Sequence, residues 1–235
     1  GLMNELNVTA GDVLHKVYVI SGQEAVPQRI LVERDARADV LVAVLPGVSC
    51  DISMAVELLG EGAQANVYGA YVCGADEKVR IAVDMYHKVP HCNSRQLFKG
   101  IAGGKSRVDF YGKIIVAQDA QRTEAYQENH NILLSDGAKV DTKPQLEIYA
   151  DDVKCSHGAT IGRLNEEEQF YMRSRGIPEK DARTMLMQAF MVDVIDMVKM
   201  EGLRDRLRHL VEKRFYGQQA SCSECAAACH EPQKD

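Results

Sequence analysis

Through roughly the first 150 residues, apolar and polar positions alternate with a period of two, the pattern of strands with one packed and one wet face. The clearest run covers 79–86, where Val79, Ile81, Val83 and Met85 fall on one side and Arg80, Asp84 and Tyr86 on the other. Similar short runs at 40–45, 52–58, 67–72, 108–116 and 146–150 predict further strands. Turn formers separate them: Leu45-Pro46-Gly47, Gly60-Glu61-Gly62, Cys73-Gly74-Ala75-Asp76, Ala102-Gly103-Gly104 and Ser135-Asp136-Gly137. Strand starts recur roughly every 12–16 residues with no helical stretch between them, which suits either a β-sandwich or a stacked β-solenoid. Spacing alone does not separate the two.

Beyond Leu164 the period changes to about 3.6. Asn165 is a good N-cap with Glu168 three residues on, and Arg173 and Arg175 precede Gly176, so a short helix is expected between them. The next helix opens at Pro178 with Glu179 and Asp181 in its first turn. It carries Ala182, Met185, Leu186, Ala189, Phe190, Val194, Met197 and Val198 at helical spacing. Gly202 interrupts, and Leu203, Leu207, Leu210 and Val211 then oppose Arg204, Arg206, Arg208, Lys213 and Arg214 in a third amphipathic segment. The methionine-bearing stripe reads first as core, and its adaptable side chains also suit a docking surface.

Composition narrows the function classes. A chain of 235 residues that is 46% hydrophobic can bury a sizeable core. The formal charge of -6 argues against a nucleic-acid or anionic-membrane partner, because such binding needs clustered Lys and Arg. No apolar run approaches the ~18 residues that span a bilayer, no secretory signal is visible, and a cytoplasmic location is expected. Seven cysteines, three of them in the last fourteen residues, do not make a disulfide framework and read as reduced thiols. Gly1-Leu2-Met3-Asn4 reads as a cloning remnant ahead of a chosen start, as in an excised fragment.

The chemistry concentrates at Cys155-Ser156-His157, a thiol and an imidazole two residues apart at the end of a strand-like stretch. Two residues apart on a strand, they share a face. Both side chains suit soft and borderline metals such as iron and zinc, yet two ligands cannot close a tetrahedral site, so another group must contribute. The tail offers Cys222, Cys225, Cys229 and His230 within nine residues, a set that could bind zinc or a shared cluster, or simply belong to a disordered terminus. His87 and His91-Cys92 flank Pro90, and they read as structural, turn-borne and solvated. No phosphate-binding Gly-rich loop, nucleophile elbow or telling carboxylate pair is present, which disfavours nucleotide hydrolysis, acyl-enzyme chemistry and glycoside cleavage.

Four stretches together resemble the SufB/SufD family: His91-Cys92-Asn93-Ser94-Arg95-Gln96-Leu97-Phe98-Lys99-Gly100, Asn129-His130-Asn131-Ile132-Leu133-Leu134-Ser135, residues 140–164, and Gln169-Phe170-Tyr171-Met172-Arg173-Ser174-Arg175-Gly176-Ile177. Val140-Asp141-Thr142-Lys143-Pro144 and Cys155-Ser156-His157-Gly158-Ala159-Thr160 are similar to the SufD side of that family. The resemblance implies a right-handed parallel β-helix core over 1–163, a small C-terminal α-helical module over 164–216 and a Cys-rich tail over 217–235, without the family's N-terminal helical part. It implies a non-catalytic scaffold subunit of SUF iron–sulfur cluster assembly, pairing with a SufB-like protein through the β-helix and with the ATPase SufC through the C-terminal helices, those containing Met185, Leu186, Phe190 and Met197. His157 then matches the histidine that helps hold a transient iron–sulfur cluster at the shared interface, with Cys155 beside it, and no cofactor is tightly bound. His130 stands where SufB-like sequences carry a cysteine, which favours a helper over a cluster builder. A homodimer is a further expectation for the chain isolated from its partners. The competing classes are a self-associating β-helix module and a β-helix enzyme acting on carbohydrate or acyl groups.

Overall fold

Twice as many strands form as the apolar alternation marks. A computed structural model describes residues 4–22 and 24–196, with 204, 205 and 209 as isolated positions. Among the described residues the order is β1 (Glu5–Val8), β2 (Val13–Ile20), β3 (Arg29–Val32), β4 (Arg37–Val44), β5 (Cys50–Leu58), β6 (Gln64–Cys73), β7 (Lys78–His87), β8 (Asn93–Ala102), β9 (Arg107–Val116), β10 (Thr123–Leu133), β11 (Lys139–Ile148) and β12 (Val153–Gly162), then α1 (Glu166–Ser174) and α2 (Glu179–Ile195). Odd-numbered strands stack in one parallel six-stranded sheet, sheet 1, in the order β1-β3-β5-β7-β9-β11. Even-numbered strands stack in a second, sheet 2, in the order β12-β10-β8-β6-β4-β2. The chain therefore alternates between the sheets at every strand and winds a parallel β-solenoid, which decides between the two architectures that strand spacing left open.

The lumen between the sheets is filled by every second residue. In β7 these are Val79, Ile81, Val83 and Met85, the alternation legible in the sequence, and all are at most 2% exposed. Large and small residues interlock between successive turns. Gly69 lies in register with Phe98, and Tyr71 with Gly100. A Cβ on Gly69 would stand 2.1 Å from the Phe98 ring, and one on Gly100 would stand 1.7 Å from Tyr71. Glycine is required at both positions by close approach. Phe98 meets Phe110 of sheet 1 at 5.0 Å between ring centroids, a favourable tilted contact.

Sheet 2 also carries an apolar patch on its outer face, where α2 lies across it. Met187, Met191 and Ile195 pack with Val72, Ile101 and Ile132, and Val194 packs with Leu41, Tyr68 and Leu97. Each such buried side chain contributes about 1.5–3 kcal/mol. The buried face of α2 is Ala182, Thr184, Met187, Met191, Val194 and Ile195, rotated from the stripe expected from spacing, so Met185 points to solvent. The docking sheet, not helical spacing, selects the face. The caps follow the sequence closely. Asn165 Oδ1 accepts from the N–H groups of Glu167 and Glu168, Gly176 ends α1 at φ 86, and Pro178 is the N-cap of α2.

Candidate functional site

The last turn of the solenoid is open. Strands β11 and β12 are the terminal members of their sheets, so each has one edge without a partner strand among the described residues. Pro144, which lacks an N–H, sits within β11, a residue tolerated at sheet edges and one that blunts strand addition. No proline interrupts β12, whose sequence is Val-Lys-Cys-Ser-His-Gly-Ala-Thr-Ile-Gly.

On β12 the lumen-facing positions are Val153, Cys155, His157, Ala159 and Ile161, read from their register with buried Thr123, Ala125, Gln127, Asn129 and Asn131 of β10. Cys155 is half-buried over Ala125 and packs against the core. Burial pushes its thiol above the ordinary range, with a smaller opposing pull from a backbone hydrogen bond at Ala125, so it is held as the neutral thiol at neutral pH. His157 is exposed at the open end. The structure therefore places both residues on one face of the terminal strand of sheet 2, one sheltered and one presented.

The lumen becomes polar toward this end. β6 contributes Ala65, Val67, Gly69, Tyr71 and Cys73, whereas β10 contributes Thr123, Ala125, Gln127, Asn129 and Asn131, all buried. Asn129 Nδ2 donates to Tyr71 Oη at 3.1 Å and Asn131 Nδ2 to Asn129 Oδ1 at 2.8 Å, while the Tyr71 hydroxyl donates to Asn131 Oδ1. Asn131 Nδ2 also reaches the Thr160 carbonyl of β12 at 3.4 Å, tying the open strand to this network. Gln127 Nε2 donates to Gln96 Oε1 at 3.3 Å. Polar lumen positions hide β8, β10 and β12 from an apolar-periodicity reading, and in β10 the period-two run Gln127, Asn129, Asn131 is the signal that could have found the strand.

The other candidate residues fall elsewhere. His130 lies on the opposite face of β10, with Nδ1 2.8 Å from Thr160 Oγ1 and Nε2 3.9 Å from Glu128. His87 and Cys92, expected to be solvated at a turn, are instead buried, because the corners of a solenoid close over its lumen. His87 Nε2 is 2.7 Å from Ser94 Oγ, and burial holds its ring neutral by pulling its pKa down to about 4. Burial also raises the Cys92 thiol to about 11. His91 is exposed and takes a positive φ of 60 at the turn. Cys222, Cys225, Cys229, His230, Met197 and the third amphipathic segment, apart from positions 204, 205 and 209, lie outside the described residues. Among the described residues no three His, Cys, Asp or Glu side chains converge to hold a metal ion.

Of the residues expected on a docking helix, Leu186 and Phe190 pack onto sheet 2, and Lys99 Nζ donates to the Phe190 carbonyl at 3.0 Å and to Asp193 Oδ2 at 2.8 Å. Met185 remains 49% exposed, and α1 adds Phe170 at 76% and Tyr171 at 59%. Helical spacing did not single out these two exposed aromatics, and the Arg175 guanidinium stands 5.3 Å from the Tyr171 ring centroid. The outer face of sheet 1 carries a groove of about 950 Å³ lined by Arg29, Arg80, Lys113, Lys143, Tyr111 and Asp84, among others. Here Tyr111 lies between Arg80 and Lys143, whose charges stand 5.1 and 5.4 Å from its ring centroid. No described helix is long and apolar enough to cross a membrane.

Comparison with known proteins matches residues 22–190 to the family described as SUF system FeS cluster assembly, SufBD core domain. The chain is 39% identical over 188 residues to the iron-sulfur cluster assembly protein SufD of Escherichia coli K12, covering 80% of this chain and 44% of that protein. It is 46% identical over 125 residues to an iron-sulfur cluster assembly SufBD family protein of Synechocystis, covering 53% and 28%. A SufBD family protein of Mycobacterium leprae is 32% identical over 192 residues, covering 77% and 48%. The chain spans less than half the length of these relatives.

Proposed function

The chain belongs to the SufBD family, and from that premise we propose that it is a non-catalytic scaffold subunit for iron–sulfur cluster assembly, with β12 as its assembly edge. One observation carries the reading: His157 is exposed on a strand whose outer edge has no partner among the described residues. An open strand edge is a template for another chain. A SufB-like solenoid adding there would bring its own side chains opposite His157.

The ligand chemistry suits a shared site. Imidazole replaces thiolate on one iron in mixed cluster ligation, and His157 with neutral Cys155 cannot enclose a metal alone. A thiolate from the SufB-like chain would complete the set, so the nascent cluster, here the cargo, is held only when the chains meet. Each half alone binds weakly, which leaves the product transferable. The SufC-like ATPase would dock on the helices, where Phe170, Tyr171 and Met185 are each exposed. Without a SufB-like partner, a second copy of this chain can meet the same edge.

The test is co-purification under anaerobic conditions with SufB-like and SufC-like proteins, with iron and sulfide assayed. A ternary complex holding both elements is expected. Ala159→Pro, which removes an outward-facing N–H of β12, should release the SufB-like chain and keep the SufC-like one. Undiminished SufB binding by that variant would refute the edge assignment.

A further inference from the structure

Behind His157 the lumen holds a polar chain that ends in an unused acceptor. Gln96, Gln127 and His157 occupy one lumen column on successive strands, in register. Gln96 and Gln127 are 0% and 1% exposed. Gln127 spends its Nε2 on Gln96 Oε1 at 3.3 Å, yet its Oε1 is buried and has no hydrogen-bond partner among the described residues. A buried amide oxygen left unpaired is destabilising, so its persistence asks for a donor. The next position in the column is His157, one strand spacing away, about 4.8 Å.

Room for the amide is built into the opposite sheet. A Cβ on Gly112 would stand 2.0 Å from Gln127 Nε2 and 2.5 Å from its Cδ. The Gln127 head group therefore lies against bare backbone of β9, in space that any other residue would fill.

We infer that Gln127 is a positioning residue for His157: its free Oε1 accepts an N–H from the imidazole, and the other ring nitrogen is left to present its lone pair at the open edge. The two groups are not bonded in the structure. The exposed ring is free to swing toward the acceptor, since surface side chains change rotamer within nanoseconds. The physical logic is that of ligand histidines generally, where an acceptor on one nitrogen fixes the tautomer and raises the basicity of the other. Gln96 continues the amide chain and keeps Gln127 from turning away. The inference rests on the reading of His157 as a ligand, but its own readout does not.

Nitrogen-15 NMR of the histidine ring in the full chain tests it, with no metal or partner added. His157 should show one dominant tautomer at neutral pH. Gln127→Leu should return it to the mixture of an unrestrained imidazole, and Gln127→Glu, which keeps an acceptor oxygen, should restore the single form. Gly112→Ala provides a second route, displacing the amide while leaving both interacting residues in place, and should also loosen the tautomer. A wild-type ring that is already a mixture, or a restraint that survives Gln127→Leu in a folded chain, would overturn the inference. The ligand reading fails separately, when cluster assembly is indifferent to His157 itself.

Discussion

The middle turns of the solenoid and its last turn share one backbone plan and differ in almost everything that side chains do. In β9 the alternate residues Val108, Phe110, Ile114 and Val116 are at most 1% exposed, and β11, its neighbour in register, has no fully buried residue. The same holds for β10 against β12, where Gln127 is sealed and His157 is open. Stability in a stacked fold comes from neighbours on both sides, so the last turn, with one neighbour missing among the described residues, is less stabilised than the middle turns and more available. Burial is concentrated in the middle, and exposure at the end.

The sharpest way to break that contrast is to empty the middle. Phe98→Ala should cost about 4 kcal/mol, because its ring packs between Gly69 and Phe110 and leaves a cavity. The matched change at the end, Ile161→Ala, removes a side chain 45% exposed and should cost under about 1 kcal/mol. Chemical denaturation of both variants gives the ratio directly. Equal losses would show that the last turn is packed as tightly as the rest. Overfilling the middle with Gly100→Ala forces a methyl into Tyr71 and should cost about 3 kcal/mol.

Acid probes the same region by another route. His87 is neutral in the fold, with its pKa lowered from 6.5 to about 4 by burial. The unfolded chain therefore takes up the proton first as pH falls. The stabilisation is complete above about pH 6.5, is lost progressively between about 6.5 and 4, and amounts to about 3 kcal/mol at most. His87→Leu should flatten the melting temperature across that window, and an unchanged acid slope would remove His87 as the cause. Smaller still, Asn165→Ala should cost about 1 kcal/mol by stripping the cap of α1. That loss should appear as faster amide exchange in α1 without change in the middle turns.

Legibility in the sequence followed the same division. Strands with an apolar lumen face, such as β7 with Val79 to Met85, show their period openly. Strands β8, β10 and β12 did not, because Gln96, Gln127, Asn129, Asn131 and His157 put polar atoms where a core residue is expected, and only neighbouring turns satisfy them. The outer face of β6, with Tyr68 and Val72, is apolar for α2, so its alternation is blurred by a second contact. Asn165, Gly176 and Pro178 marked the helix ends because caps are local chemistry. The face of α2 was not local, and Met187 and Met191 were chosen by the sheet beneath. His157 and Cys155 stood out as residue types, but their exposure and burial depend on β12 being last, which spacing cannot say.

We propose that the open turn presents His157 to a partner for cluster assembly. The most direct test compares wild-type chain and His157→Ala in the anaerobic complex with SufB-like and SufC-like proteins, measuring iron and sulfide retained per complex. The substitution removes an exposed side chain and should change folding stability by less than about 0.5 kcal/mol. Intact complex with most of its cluster lost is the expected result. Intact complex with wild-type iron and sulfide would contradict the account.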